Sequence, residues 1–121
     1  MLVWQRATEL VDMIFIATTT FPRFEDGKLA DQLRRAAVSI VLNICEGCGR
    51  KGGPDFLRYL QNSMGSASEV EGALESSRNR RFLDADQASR LLDHVIEIKK
   101  MLTGLMKSLG TSWGPPSSTE N

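Results

Sequence analysis

The stretch Leu29–Cys48, LADQLRRAAVSIVLNICEGC, decides the fold. At the 100° per residue of an α-helix, Leu29, Leu33, Ala36, Ala37, Ile40 and Ile44 fall on one arc. Val38, Val41, Leu42, Cys45 and Cys48 form a second arc beside it. Gln32, Arg35, Ser39, Asn43 and Glu46, with Arg50 just beyond, are left as a narrow polar stripe. A surface helix of a monomer usually carries one apolar stripe opposite a polar face. This helix is apolar round most of its circumference, so it needs more than one packing partner. Part of its surface is expected to meet another copy of the chain.

Three further segments have the same period. Val3, Ala7, Leu10, Ile14 and Ala17 follow four-three spacing, with Trp4, Val11 and Phe15 on an adjoining strip. Phe21-Pro22 ends that segment, because the residue before proline is pushed out of the α region. Phe56, Leu60, Ser63, Ala67, Val70 and Leu74 repeat the spacing after Gly53-Pro54, where proline suits a first helical position. Gly65 and Gly72 share the opposite face of that helix, and their cost of roughly 0.5–1 kcal/mol each leads us to expect close approach of another backbone. Leu91, Val95, Ile98, Leu102, Leu105 and Leu109 form the last stripe, opened by Asp84 as N-cap with Gln87 as its capping-box partner. Gly110 is a natural stop.

The expected fold is all-α: an up-down-up-down antiparallel, left-handed four-helix bundle over residues 1–110. Its helices are expected at about 2–20, 28–48, 54–79 and 85–109. Short connections make neighbouring helices antiparallel, and four-three spacing gives packing near +20°. The Ser-, Thr-, Pro- and Gly-rich tail 111–121 is expected to be disordered, with Trp113 its one docking candidate.

Composition narrows the function. The chain has 121 residues, the length of one domain, and its 15 Lys and Arg balance 15 Asp and Glu. Neutrality argues against coating nucleic acid through bulk charge but permits a local basic patch. No apolar run approaches the roughly 20 residues of a membrane span. Met1-Leu2-Val3-Trp4-Gln5-Arg6 shows no basic leader or small-residue cleavage site, so a cytoplasmic location is expected. Cys45 and Cys48 have only His94 and carboxylates to join them, short of the usual four-ligand zinc set, so two thiols in a reducing compartment and no metal are expected. No catalytic residues and no cofactor are expected: there is one histidine, no sequence-local partner for Ser39, and no Glu-x-x-His pair for di-iron chemistry.

The residues Leu33-Arg34-Arg35-Ala36-Ala37-Val38-Ser39-Ile40, then Asn43-Ile44, then Glu46-Gly47-Cys48-Gly49-Arg50 resemble the four-helix-bundle family of proteins encoded in 23S rRNA intervening sequences. Val3-Trp4-Gln5-Arg6-Ala7, Phe21-Pro22, Phe56-Leu57 and Gly65-Ser66 with Glu69 and Glu71 resemble it too, so the resemblance covers about residues 2–110. The chain departs from the pattern at Cys45, where the family commonly has alanine, and at Gly52-Gly53-Pro54, which replaces a polar lead into the third helix. The resemblance implies a small cytosolic bundle assembled as a ring-shaped homopentamer. It also implies kinship with the accessory variability determinant of diversity-generating retroelements, a basic bundle that works with a reverse transcriptase and nucleic acid.

Charge segregation picks the candidate surfaces. Lys28 to Leu60 holds six cations and three acids, whereas Gln61 to Ser77 holds three acids and no cation. Arg34, Arg35, Arg50, Lys51 and Arg58 are the candidate contacts to phosphate, which the arginine fork matches. Ion pairing of Arg50 and Arg58 with Glu46, Asp55 or a neighbouring subunit is the competing role. Arg78, Arg80 and Arg81 form a turn expected at the other end of the bundle. Val38, Val41, Leu42 and Cys45 are the candidate oligomer interface. Ser39, Asn43 and Glu46 are expected to form a structural polar stripe, with Asn43 and Glu46 bonding across to the first or third helix, to the next subunit or to Arg35. The expected function is a non-enzymatic, homo-oligomeric adaptor whose partners are itself and RNA, DNA or a nucleic-acid-processing protein. The alternative is a protein-interaction scaffold with no nucleic-acid role.

Overall fold

A computed structural model describes residues 1–50 and 53–109, and of residues 24–27 the backbone alone. Lys51, the Gly110 stop and the tail 111–121 lie outside the described residues. Four helices make up the fold: α1 Leu2–Ala17, α2 Arg23–Gly49, α3 Gly53–Asn79 and α4 Ala85–Ser108. Among the described residues there is no strand.

Each boundary has a local cause. The α-helical part of α1 stops at Ala17, three residues short of expectation, and one 3-10 turn, Thr18–Thr20, follows. The hydroxyls of Thr18 and Thr19 each donate across 2.7 Å to a carbonyl one turn back, Ile14 and Ile16, which tightens the end. Phe21 is then extended (φ −66°, ψ 146°), as a residue before proline must be. Pro22 caps α2 with φ −59° and ψ 131°, so α2 begins at Arg23 rather than near 28. The helix carries Gly27 in its first turns, and it absorbs one glycine for roughly 0.5–1 kcal/mol. At the head of α4 the capping box is complete: Gln87 N–H donates to Asp84 Oδ1 at 2.8 Å and Asp84 N–H to Gln87 Oε1 at 3.3 Å.

α3 ends in a Schellman turn. Phe82 N–H bonds Ser77 O at 2.9 Å and Arg81 N–H bonds Arg78 O at 2.9 Å. Arg81 holds the left-handed position with φ 65°, where glycine is the usual occupant.

The core follows the four-three stripes. Val3, Ala7, Leu10, Ile14, Leu33, Ile40, Ile44, Leu60, Val70, Leu74, Val95, Ile98 and Leu102 are all buried. Met106 joins them from outside the expected stripe. Packing runs round a ring: α1 on α2, α2 on α3, α3 on α4 and α4 on α1. Paired residues run in opposite directions along α1 and α2, α2 and α3, and α1 and α4, which sets α4 antiparallel to α3 as well. Trp4 meets Cys45 and Thr18 meets Arg34; Ser39 meets Ser66 and Arg50 meets Tyr59; Arg6 meets Glu97 and Glu9 meets His94. The bundle is therefore up-down-up-down. No described helix is long and apolar enough to cross a membrane.

Candidate functional site

α2 and α3 come closest at the end of α2. A Cβ on Gly47 would sit 3.0 Å from Phe56 Cδ1 and 3.1 Å from Tyr59 Cβ. Gly47 is thus the glycine that close packing requires. At Gly65 and Gly72 a Cβ would meet nothing within 4 Å, so the adjacent helix expected there is not one of this chain's described helices. Both lie on the outer face of α3, where no helix of this chain packs.

That close packing places Tyr59 beneath two cations. The Arg50 guanidinium lies 5.4 Å and the Arg58 guanidinium 4.7 Å from its ring centroid, both within cation–π range. Arg50 Nη2 also donates to the Tyr59 hydroxyl at 3.3 Å. Each arginine has an acid one turn away: Arg50 pairs with Glu46 at 3.0 Å and Arg58 with Asp55 at 3.4 Å. Tyr59 first, then the hydrogen bond to Glu46, raises the Arg50 pKa above its ordinary value, so it stays cationic. These exposed pairs are weak and screened, and an anion can compete for them.

Arg34 and Arg35 sit elsewhere. Fifteen residues of helix separate Arg35 from Arg50, about 22 Å along α2 at 1.5 Å per residue. The four described basic candidates, Arg34, Arg35, Arg50 and Arg58, therefore do not form one patch. Arg34 is committed within the chain: its Nε donates to Thr18 Oγ1 at 2.8 Å and its guanidinium stacks 5.1 Å from the Phe15 ring. Arg35 is exposed. Both line an open groove of about 440 Å³ between α1 and α2, with Phe15, Val38, Ser39, Leu42 and Asn43. Basic and apolar candidates meet in this groove, a juxtaposition the period of α2 alone does not reveal.

Val38 and Leu42 of the second apolar arc of α2 line the same groove. Leu42 is 61% exposed and Cys45 is exposed, while Val38 and Val41 are half-buried. The neighbouring strip of α1 is also open, with Phe15 at 42% and Trp4 at 40%. Phe15, Val38, Leu42, Cys45 and Trp4 thus form an apolar strip along the α1–α2 seam that the single chain leaves uncovered.

Within the subunit, the polar stripe bonds mostly along its own helix. Only Ser39 reaches another helix, with its Oγ 2.8 Å from Ser66 Oγ on α3. Asn43 Nδ2 turns back to Ser39 O at 2.9 Å and Ser39 Oγ at 3.1 Å, and Glu46 pairs with Arg50 on its own helix. Another crossing between α2 and α3 is made by Ser63, fully buried, whose hydroxyl donates to Ile40 O at 2.9 Å. Its place on the core stripe of α3 marked the position but not the bond. Thr18 was missed, since a threonine at a helix end carries no sequence signal for a tertiary arginine partner. Among the described residues no three His, Cys, Asp or Glu side chains gather to hold a metal. His94 bridges helices instead, with Nε2 3.2 Å from Arg6 O.

Comparison with known proteins gives two findings. The family model described as 23S rRNA-intervening sequence protein matches residues 1–104. A crystal structure of a protein of unknown function from the S23 ribosomal protein family of Bacteroides thetaiotaomicron VPI-5482 superposes with a TM-score of 0.78 at 23% identity. The match covers 87% of this chain and 98% of that one, and it establishes a shared fold. No curated protein matches.

Proposed function

The chain belongs to the 23S rRNA-intervening sequence protein family, and from that premise we propose that it is a non-enzymatic, cytoplasmic, homo-oligomeric adaptor, a ring closed by five copies. The observation that carries self-assembly is the uncovered strip of Phe15, Val38, Leu42, Cys45 and Trp4 on the α1–α2 seam. Exposed apolar strips of this kind mark interaction surfaces. A second copy on the strip completes the packing that the second arc of α2 calls for.

The adaptor role engages RNA, DNA or a ribonucleoprotein through Arg50 and Arg58 stacked on Tyr59, with Arg35 as a separate contact. Repetition round a ring multiplies such contacts, so weak single sites act together. A protein-interaction scaffold with no nucleic-acid role is the second reading. It is favoured by one observation: Glu46 and Asp55 already partner Arg50 and Arg58.

Light scattering tests assembly, with an expected mass near five times the 13.4 kDa chain. A monodisperse monomer would overturn it. Gel shifts with structured RNA and duplex DNA test binding, which should weaken steeply with salt. Arg50→Glu with Arg58→Glu should abolish the shift. Binding equal to that of the parent would move the surface elsewhere, and absence of any shift by the parent would select the scaffold.

A further inference from the structure

The last turn of α2 holds the chain's two cysteines three residues apart, Cys45 and Cys48, and both thiols are free and exposed. We propose that they form a redox-active dithiol that a low-molecular-weight disulfide converts to an internal Cys45–Cys48 bond, remodelling the end of α2.

Three observations carry this. First, side chains three apart on a helix have Cβ atoms about 5–6 Å apart, and a disulfide needs about 3.5–4.5 Å. Closure therefore requires a shift of about 1–2 Å, within reach of a local rearrangement but not of an undisturbed helix. Second, the turn is built to give. Past the packed Gly47 it holds Gly49, a poor helix former with open space around it, and Arg50 N–H already makes a 3-10-type bond to Gly47 O at 3.0 Å. Third, both ends of the turn are connected. The Trp4 indole N–H donates to Cys45 Sγ at 3.1 Å, linking the first turn of α1 to this sulfur. Arg50, two residues past Cys48, reaches Glu46 and Tyr59. A change at the dithiol is therefore transmitted to α1 on one side and to the Arg50–Tyr59 pair on the other.

The exchange balances as follows. Cys48 lies outside the apolar strip to which Cys45 belongs, so it meets the small disulfide first. Its thiolate attacks one sulfur and releases one small thiolate, leaving a mixed disulfide on Cys48. The Cys45 thiolate then attacks the Cys48 sulfur, forms the internal bond and releases the second small thiolate. The two cysteine protons end on the two released thiols. The cysteine pair is oxidised by two electrons and the small disulfide is reduced by two. The exchange does not rest on nucleic-acid binding, but Cys45 and Trp4 belong to the strip proposed to meet a second copy, so it is read on the chain in whatever assembly it forms, with Cys48 as the point of entry.

Incubation of the full reduced chain with oxidised glutathione, followed by tryptic mass analysis, tests it. Cleavage after Arg35 and Arg50 places both cysteines on one peptide, Ala36–Arg50. That peptide should lose two hydrogens and regain them with dithiothreitol. Cys45→Ser should stop with one glutathione on Cys48, and Cys48→Ser should stay largely unreacted. The Trp4 indole N–H resonance, assigned with Trp4→Phe, should move on oxidation of the parent chain. A persistent glutathione adduct on the parent, a disulfide between two chains, or no reaction would overturn the dithiol. A closed bond with an unmoved Trp4 resonance would overturn the remodelling.

Discussion

The Phe21 and Phe82 rings lie 5.4 Å apart, centroid to centroid, tilted by 53°. One follows α1 and the other follows α3, so the two connections at this end of the bundle are held together by an aromatic contact. Such a pair contributes about 0.5–1.5 kcal/mol beyond its buried area. It also places Arg78, Arg80 and Arg81 at the end opposite Arg50 and Arg58.

Phe82 reaches that contact through Arg81, whose φ of 65° is strained for a residue with a side chain. Arg81→Gly should relieve the strain and stabilise the chain by about 0.5–1 kcal/mol, after allowing for glycine's greater freedom when unfolded. The urea midpoint should rise with an unchanged slope. A lower midpoint would mean that the Arg81 side chain contributes more than the strain costs.

The glycines separate into two kinds. Gly65→Ala and Gly72→Ala add a methyl into open space and should each stabilise by about 0.5–1 kcal/mol. Gly47→Leu drives a side chain against Phe56 and Tyr59 and should cost about 1–3 kcal/mol. Chemical denaturation of the three variants checks the order.

Thr18 is buried, donates to Ile14 O and accepts from Arg34 Nε. Thr18→Val keeps the shape and removes both bonds, with an expected loss of about 1–2 kcal/mol. Thr18→Ser should recover most of it. If valine proved neutral in thermal melts, the Arg34 contact would contribute nothing to the α1–α2 joint.

Leu42 is exposed in the single chain, so Leu42→Asp should leave helicity intact while it dissociates the assembly. Circular dichroism and light scattering on the same sample separate dissociation from unfolding. Retained mass would remove Leu42 from the interface.

The bundle was legible because its four stripes keep one period and its breaks fall at Phe21-Pro22, Gly53-Pro54 and Asp84. Burial of Leu33, Ile40 and Ile44 follows directly from that period. The helix ends were less legible: Thr18–Thr20 contains no proline or glycine to mark a break, and the choice of a 3-10 turn rests on hydroxyl bonds to particular carbonyls. The basic cluster was legible in composition but not in grouping. Arg34 and Arg35 are adjacent in sequence, yet one faces Thr18 and Phe15 while the other faces solvent, because 100° of helix rotation separates them. Gly47 rather than Gly65 or Gly72 proved to be the contact glycine, since approach depends on where two helices converge and one helix's period does not contain that information.

The ring order of packing has a kinetic consequence. Three of the four helix pairings join segments linked by short connections, and only α1 with α4 spans the chain. Contacts so local in sequence place the subunit among helical bundles that fold in microseconds to milliseconds. Meeting other copies is a bimolecular event that slows with dilution, taking milliseconds to minutes. A dilute refolding experiment should therefore show two phases, a fast one independent of protein concentration and a slow one proportional to it, with the apolar seam open to solvent in the interval between them.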